Sequence, residues 1–173
     1  MNEIIQAMLT RRSCRSYTQE QVAEDQLQQI LLAGTYAASG MNRQAAKIVV
    51  VQDKQTREQL RKMNAAVMGT PDSDPFYGAP TICIVLADPE VRTWNEDGAL
   101  VMGNLMLAAS TLGVASCWIH RAKEEFDSPE GKALLEKWGI DPRYRGVGHC
   151  ILGYAAQPLP EARARKSDYI VRI

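Results

Sequence analysis

The stretch DGALVMGNLMLAASTLGV, residues 97–114, predicts a helix that is apolar on nearly every side. A helix without a polar face belongs in the interior of a protein or an assembly. Its glycine, alanine and serine residues allow another backbone to approach closely. A domain of 173 residues rarely needs so apolar a helix at its middle. The segment therefore predicts a homodimer in which two copies of this helix pack across a two-fold axis.

On either side of this helix the apolar pattern changes repeatedly between helical and strand spacing. Helices are predicted over residues 2–10, 24–38 and 55–63, with a further one opened by Ser128-Pro129 and closed by Gly139. The predicted strands are KIVVVQD (47–53), TICIVLAD (81–88), ASCWIH (115–120), GHCILGY (148–154) and SDYIVRI (167–173). Several of these strands are joined through helices. The pattern predicts an α+β fold with a central mixed sheet flanked by helices, in a single domain over residues 1–173.

Composition argues against several classes of function. Twenty basic and twenty acidic residues balance, so no global field attracts the chain to nucleic acid or to a membrane surface. No apolar run approaches the ~20 residues of a membrane span, and no secretory signal follows Met1. The four cysteines stand alone without a CxxC pair. We therefore expect a cytoplasmic protein with reduced thiols and no membrane or nucleic-acid partner.

Basic residues are concentrated at two places in this charge-neutral chain. Within LTRRSCRSYTQEQ, residues 9–21, three arginines surround Ser13. Arginine presents paired donors that fit phosphate oxygens, and serine adds a hydroxyl. The alternative is a solvated turn whose cations interact with the end of the first helix. A second cluster near the C-terminus contains Arg163, Arg165 and Lys166, and two such clusters could converge on one anion.

A metal site is a weaker interpretation of the histidine and cysteine residues. Cys117 and His120 share one predicted strand, and His149 and Cys150 share another. Strand alternation directs the members of each pair to opposite faces, whereas a metal needs converging ligands. The sequence therefore predicts buried structural cysteines and no metal site.

Five segments, in chain order, resemble the nitroreductase family of FMN-dependent oxidoreductases. They are RRSCRSY (11–17), AASGMNRQAAKIVVV (37–51), GAPTICIVLAD (78–88), DGALVMGNLMLAASTLGVASCWI (97–119) and ILGYAAQPLPEARARKSDYI (151–170). The resemblance runs along almost the whole chain. It implies a nitroreductase-like fold and an intertwined homodimer in which each C-terminal strand joins the sheet of its partner.

The resemblance also implies an FMN site built from several parts of the chain. The FMN phosphate, the ribityl chain and the pyrimidine side of the ring would be held by Arg11, Arg12, Ser13 and Arg15. Further cations at the phosphate would be Arg165 and Lys166, with Arg163 nearby. Residues reaching the flavin from the other subunit would be Ala38, Ser39, Gly40, Asn42 and Gln44. The strand passing the isoalloxazine near N5 would supply Cys117, Trp118, Ile119, His120 and Arg121. Asn64 is a further candidate for a ring contact. His120 is equally consistent with a structural histidine and with a polar partner for the flavin edge.

The activity implied by the resemblance is a ping-pong cycle. NAD(P)H would pass hydride to flavin N5, and a small-molecule acceptor would then take its place: a nitroaromatic, a quinone or an activated alkene. The flavin carries this chemistry without an acid–base side chain. The short connection over residues 89–96 predicts an open site, although residues 68–78 could form a lid. A non-enzymatic flavin-binding module for storage or sensing remains the alternative.

Overall fold

The computed structural model describes residues 1–173. Its helices are α1 (Glu3–Thr10), α2 (Glu24–Thr35), α3 (Lys54–Met68), α4 (Trp94–Thr111), α5 (Ala122–Asp127) and α6 (Pro129–Lys137). Its strands are β1 (Ala46–Val51), β2 (Thr81–Ala87), β3 (Ala115–Ile119) and β4 (Arg145–Gly153). The α+β organisation predicted from the sequence is confirmed. No helix of the chain is long and apolar enough to cross a bilayer.

The four strands form one sheet in the order β1-β2-β4-β3, and every neighbouring pair is antiparallel. The prediction of a mixed sheet is therefore wrong for the strands of this chain. β2 and β3 do run in the same direction, as the helical connection through α4 suggests. However, β4 lies between them and runs the opposite way, so no two adjacent strands are parallel. The one parallel contact is an isolated bridge between Ser13 and Ser116.

The sheet separates two apolar cores. One core lies on the side of α3, α5 and α6 and includes Leu60, Phe126 and Leu135. The other core lies on the side of α2 and α4 and includes Ile30 and Leu105. All four cysteines are buried and free, with Cys14 and Cys117 in the first core and Cys83 and Cys150 in the second. No group of three or more histidine, cysteine or acidic side chains is placed to hold a metal ion.

Helix α4 is buried on one side and open on the other. Gly98 allows the helix to lie directly on β4, because a Cβ atom there would come within 2.5 Å of Val147 Cγ2. On the opposite side, Leu100 is 50% exposed, and a Cβ at Gly103 would meet nothing within 4 Å. An apolar stripe of the helix thus remains uncovered within one chain.

Two terminal segments also leave apolar side chains uncovered. Helix α1 has no buried residue, and Ile4 and Met8 are both more than half exposed. The predicted C-terminal strand, residues 167–173, forms no strand within the single chain, and Ile170 and Val171 are exposed. A strand needs a neighbouring strand for its backbone hydrogen bonds, and residues 167–173 pair with no strand of their own chain. The strand therefore remains a prediction that depends on a partner.

Candidate functional site

The arginine cluster lies along the outer edge of β3. The Cys14 amide donates a hydrogen bond to the Ser116 carbonyl at 2.9 Å, next to the Ser13–Ser116 bridge. This short pairing anchors the segment that follows α1 and brings Arg15 to the same cleft as residues 117–121. The structure thus unites two of the predicted parts of the site.

The three arginines of this cluster have different surroundings. Arg12 donates through Nη1 to the carbonyls of Leu9 and Arg11, at 2.8 and 2.7 Å, so it caps the end of α1. For Arg12 the helix-end interpretation is therefore correct within this chain. Arg11 has a buried Nη1 without a hydrogen-bond partner, and the Nε of Arg12 is likewise buried and without a partner. Arg15 is exposed and forms no hydrogen bond or ion pair in the chain.

A cleft of about 310 Å³ opens beside β3. One wall consists of Arg15 and residues 117–121, and the facing wall comes from the segment that follows α3. The facing residues are Met68, Ser73, Asp74, Pro75 and Tyr77. The cleft therefore contains all five residues predicted to pass the flavin ring.

Several hydrogen bonds and one buried aromatic side chain anchor the facing wall. Arg61 donates to the carbonyls of Pro71 and Ser73. The Asp74 carboxylate accepts the amides of Phe76 and Gly78 at 2.9 and 2.7 Å. Phe76 itself is buried in the core. These contacts anchor residues 70–78, which form this wall of the cleft.

Asn64 lies behind the cleft and not at its surface. Its side chain is fully buried. The amide Nδ2 donates to the His120 carbonyl at 2.9 Å and to the Glu125 carboxylate, and Oδ1 accepts a 2.9 Å hydrogen bond from Arg121 Nε. Because its polar atoms are occupied and none is exposed, the predicted ring contact of Asn64 is wrong. The residue supports the cleft wall instead.

Glu125 and His149 are buried polar residues next to Asn64. Glu125 was not predicted to belong to the site, and His149 was considered only as a metal ligand. Their Oε2 and Nε2 atoms are 3.3 Å apart, and both side chains are fully inaccessible. Glu125 lies in the polar stretch AKEEFD, which suggests a solvated surface helix. The only sequence signal for Glu125 is its position four residues after Arg121.

The loop predicted to reach a flavin in the other subunit lies at another corner of the molecule. Its Gly40 amide donates to Asp97 Oδ1 at 3.0 Å, at the start of α4, and the chain then enters β1 at Ala46. Following the strand pairing across the sheet, Ala46 lies in register with Arg145 at one end of β4. Ser116 lies in register with Leu152 near the other end of β4. Three strand spacings and seven residues along β4 separate these corners by roughly 25 Å. One chain does not bring Ala38–Gln44 to its own cleft.

The C-terminal segment starts beside the arginine cluster. The Ala156 amide donates to the Ser16 carbonyl at 3.0 Å, and residues 157–160 line a hollow with residues 13–16. Beyond this point the chain is exposed, and no hydrogen bond or ion pair joins its three cations to residues 11–15. The structure places the tail next to the cluster but does not bring Arg163, Arg165 and Lys166 onto it.

Cys117, at the cleft, is a neutral thiol near pH 7. Burial is the main cause that raises its pKa, and a hydrogen bond with Ser13 and the charges of Arg15 and Arg11 only partly oppose this shift. Burial likewise raises the pKa of Tyr17, whose hydroxyl donates to the Cys14 carbonyl. The cleft therefore provides cations and a protein wall, and Cys117 is not an activated nucleophile.

Comparison with known proteins identifies a single family. The Nitroreductase family model matches residues 8–79 and 68–154. A protein of Archaeoglobus fulgidus, provisionally named NADH dehydrogenase/NAD(P)H nitroreductase, is 31% identical over 159 residues, covering 89% of this chain and 86% of the relative. A Bacteroides fragilis nitroreductase solved with bound FMN superposes with a TM-score of 0.90 at 31% identity, over the full length of both chains. An FMN-bound nitroreductase from Desulfitobacterium hafniense gives 0.89 at 26% identity, covering 100% of this chain and 99% of that chain.

Proposed function

This chain belongs to the nitroreductase family, and we propose that it is a homodimeric, FMN-dependent oxidoreductase that uses NAD(P)H to reduce a small acceptor. Nitroaromatics, quinones and activated alkenes are the proposed acceptor classes, and a ping-pong cycle is the proposed mechanism. FMN, when bound, supplies hydride transfer through its N5 atom. The chain supplies the binding and the electrostatic environment.

The observation that carries this proposal is the unpartnered Arg11 Nη1 beside the cleft. A buried guanidinium nitrogen without an acceptor is costly, and a phosphate oxygen would satisfy it. The adjacent Ser13 hydroxyl and the Arg15 guanidinium can serve the same anion or the ring next to it. Arg163, Arg165 and Lys166 lie on the segment that leaves this cluster, and we propose that they close over the phosphate.

We propose that the ring of FMN lies in the cleft between β3 and residues 68–77. Cys117, Trp118, Ile119 and His120 would line one face of it, and a cation at its edge would stabilise the negative charge of the reduced ring. Arg15 and Arg121 are the cations available there. The His120 carbonyl is engaged by Asn64, and the His120 side chain remains exposed as a polar partner for the flavin edge.

The second half of the site requires a second copy of the chain. Residues Ala38–Gln44 lie roughly 25 Å from the arginine cluster of their own chain. They can contact the proposed flavin only if a partner presents them. The uncovered stripe on α4 and the exposed apolar tail favour such a dimer.

The first experiment is the absorption spectrum of the purified protein, followed by identification of the flavin released on denaturation. We expect FMN. Arg11→Ala and Arg165→Ala should each weaken FMN binding by ~2 kcal/mol, because each removes a charged phosphate donor. Arg12→Ala is the comparison variant and should weaken it less, since Nη1 of that guanidinium already donates to the end of α1 and only its Nε lacks a partner.

Oxidation of NAD(P)H in the presence of a quinone separates the enzyme from a non-enzymatic binding module. Multiple turnovers are expected. A protein that binds FMN but never turns over with any acceptor class would be the storage or sensing module. A colourless protein that free FMN cannot reconstitute would contradict both functions.

A further inference from the structure

Arg121 occupies a backbone conformation that L-residues rarely adopt. Its φ is +77°, in the left-handed region that favours glycine, and it lies directly between β3 and α5. Such strain persists where the surrounding structure holds it, and it is concentrated at functional sites. Arg121 also lines the cleft, so its side chain, and not only its backbone conformation, is a candidate for a functional role.

The Arg121 side chain is tethered at one end and free at the other. Its Nε donates to Asn64 Oδ1 at 2.9 Å, whereas its terminal nitrogens make no hydrogen bond or ion pair within the chain. The same Asn64 amide donates to the carbonyl of His120 at 2.9 Å. One buried residue on α3 therefore holds both residues of the strained corner, and it leaves the charged end of Arg121 available.

Glu125 fixes the orientation of that amide. Its Oε1 accepts a hydrogen bond from Asn64 Nδ2. With Nδ2 committed to Glu125 and to the His120 carbonyl, Oδ1 has only Arg121 to face. Glu125 is 1% exposed, and its second oxygen lies 3.3 Å from His149 Nε2. The His149 ring packs against Phe76 and Phe126, with centroids 5.2 and 6.3 Å away. The Glu125 carboxylate is therefore hydrogen-bonded through Oε1 and enclosed on its other side by the His149 ring, with which Oε2 forms no hydrogen bond.

We infer that Asn64 and Glu125 are positioning residues that act through Arg121, holding its guanidinium at the wall of the cleft to bind the flavin. This inference rests on the proposed FMN site and assigns to it two residues that never touch the cofactor. The buried hydrogen bonds pre-organise a long, flexible side chain, which lowers the entropic cost of binding. Removing the tether should therefore weaken FMN binding even though no ligand contact is lost.

A double-mutant cycle on FMN affinity tests whether Asn64 acts through Arg121. The dissociation constant is measured by quenching of free FMN fluorescence for the parent, Asn64→Leu, Arg121→Ala and the double variant. Each single change should weaken binding about tenfold, and the double variant should bind no more weakly than Arg121→Ala. Independent effects that multiply to about a hundredfold would overturn the inference, as would an Asn64→Leu protein with parental affinity.

A second variant keeps the test decisive if Asn64→Leu fails to fold. Arg121→Gly relieves the backbone strain and removes the guanidinium, so we expect a melting temperature at or above that of the parent. Its FMN affinity should still fall about tenfold, and the visible spectrum of its bound flavin should shift. An Arg121→Gly protein with the parental affinity and spectrum would show that the tethered side chain serves the fold alone.

The matched control is Gln59→Leu. Gln59 lies on α3, like Asn64, but donates to the Glu130 carboxylate at 3.0 Å, between α3 and α6 and outside the cleft. Its loss should leave FMN affinity within about twofold. If the parent itself binds no FMN, the proposed function fails. If only the coupling between Asn64 and Arg121 is absent, the positioning inference alone fails.

Discussion

Neighbouring residues of the same type have separate tasks in this protein. Arg11 and Arg12 are adjacent and each has a buried nitrogen without a partner, yet only Arg12 also donates hydrogen bonds to the end of α1. Asn64, fully buried, supports an arginine instead of a flavin. In each case hydrogen-bond partners, and not residue type, decide the role.

The ion pair between Asp127 and Arg145 gives the clearest pH dependence at the scale of single residues. It joins the end of α5 to the start of β4, and Arg145 also lies over the Trp94 ring, 5.4 Å from its centroid. Hydrogen bonds from Arg145 lower the pKa of the Asp127 carboxyl. A lowered folded-state pKa means that the pair contributes stability above the unfolded pKa of about 4 and loses it as pH falls through the folded value.

We therefore expect Asp127→Asn to reduce the free energy of unfolding by less than about 1 kcal/mol at pH 7. The gap to the parent should close as the pH falls below the unfolded pKa of about 4 and through the lower folded value. Urea unfolding at several pH values measures it. Glu136→Gln, which removes an exposed acid without an ion pair, is the control and should show no such gap. A difference for Asp127→Asn that does not shrink as the pH falls below about 4 would contradict the assignment.

At the scale of elements, α4 combines two kinds of glycine. Gly98 lies against β4, where a Cβ would come within 2.5 Å of Val147, whereas Gly103 faces open space in the single chain. Contacts within the chain thus fix the position of α4 on the side that faces β4. Its other side, which includes Leu100, is available to a partner.

Gly98→Ala should lower the free energy of unfolding by ~1–3 kcal/mol, because the added methyl group forces α4 away from the sheet. The loss should be the same at every protein concentration. Gly103→Ala is the matched control and should cost much less, since a Cβ there has room and alanine favours the helix. Chemical unfolding at two protein concentrations measures both changes. Equal destabilisation by the two variants would show that Gly98 does not set the helix–sheet distance.

At the scale of the whole molecule, one dimer arrangement would cover both the free edge of β1 and the exposed apolar tail. β1 is an edge strand that pairs only with β2, and an unpaired edge is a ready site for another strand. The tail, with Tyr169, Ile170 and Val171 exposed, can supply it. We propose that each tail crosses to the partner's sheet while the Ala38–Gln44 loop approaches the partner's cleft.

Deleting residues 158–173 should therefore abolish the dimer and FMN binding together, because the tail carries both the strand and three proposed phosphate ligands. Sedimentation and flavin content measure the two losses. Gly103→Leu should separate the α4 helices without changing any of those ligands, and we expect that variant to lose FMN as well. A Gly103→Leu protein that sediments as a monomer with a full complement of FMN would exclude a shared site.

The sequence by itself determined the α+β class, the apolar central helix and the two basic clusters, because these depend on local periodicity and composition. It also predicted the strand that holds residues 117–119, although β3 ends at Ile119 and His120 and Arg121 form the corner that follows it. Three features were decided only by the tertiary structure: the insertion of β4 between β2 and β3, the burial of Asn64 against Glu125 and Arg121, and the roughly 25 Å between the arginine cluster and Ala38–Gln44. Each depends on which distant segments become neighbours, and spacing along the chain does not encode that.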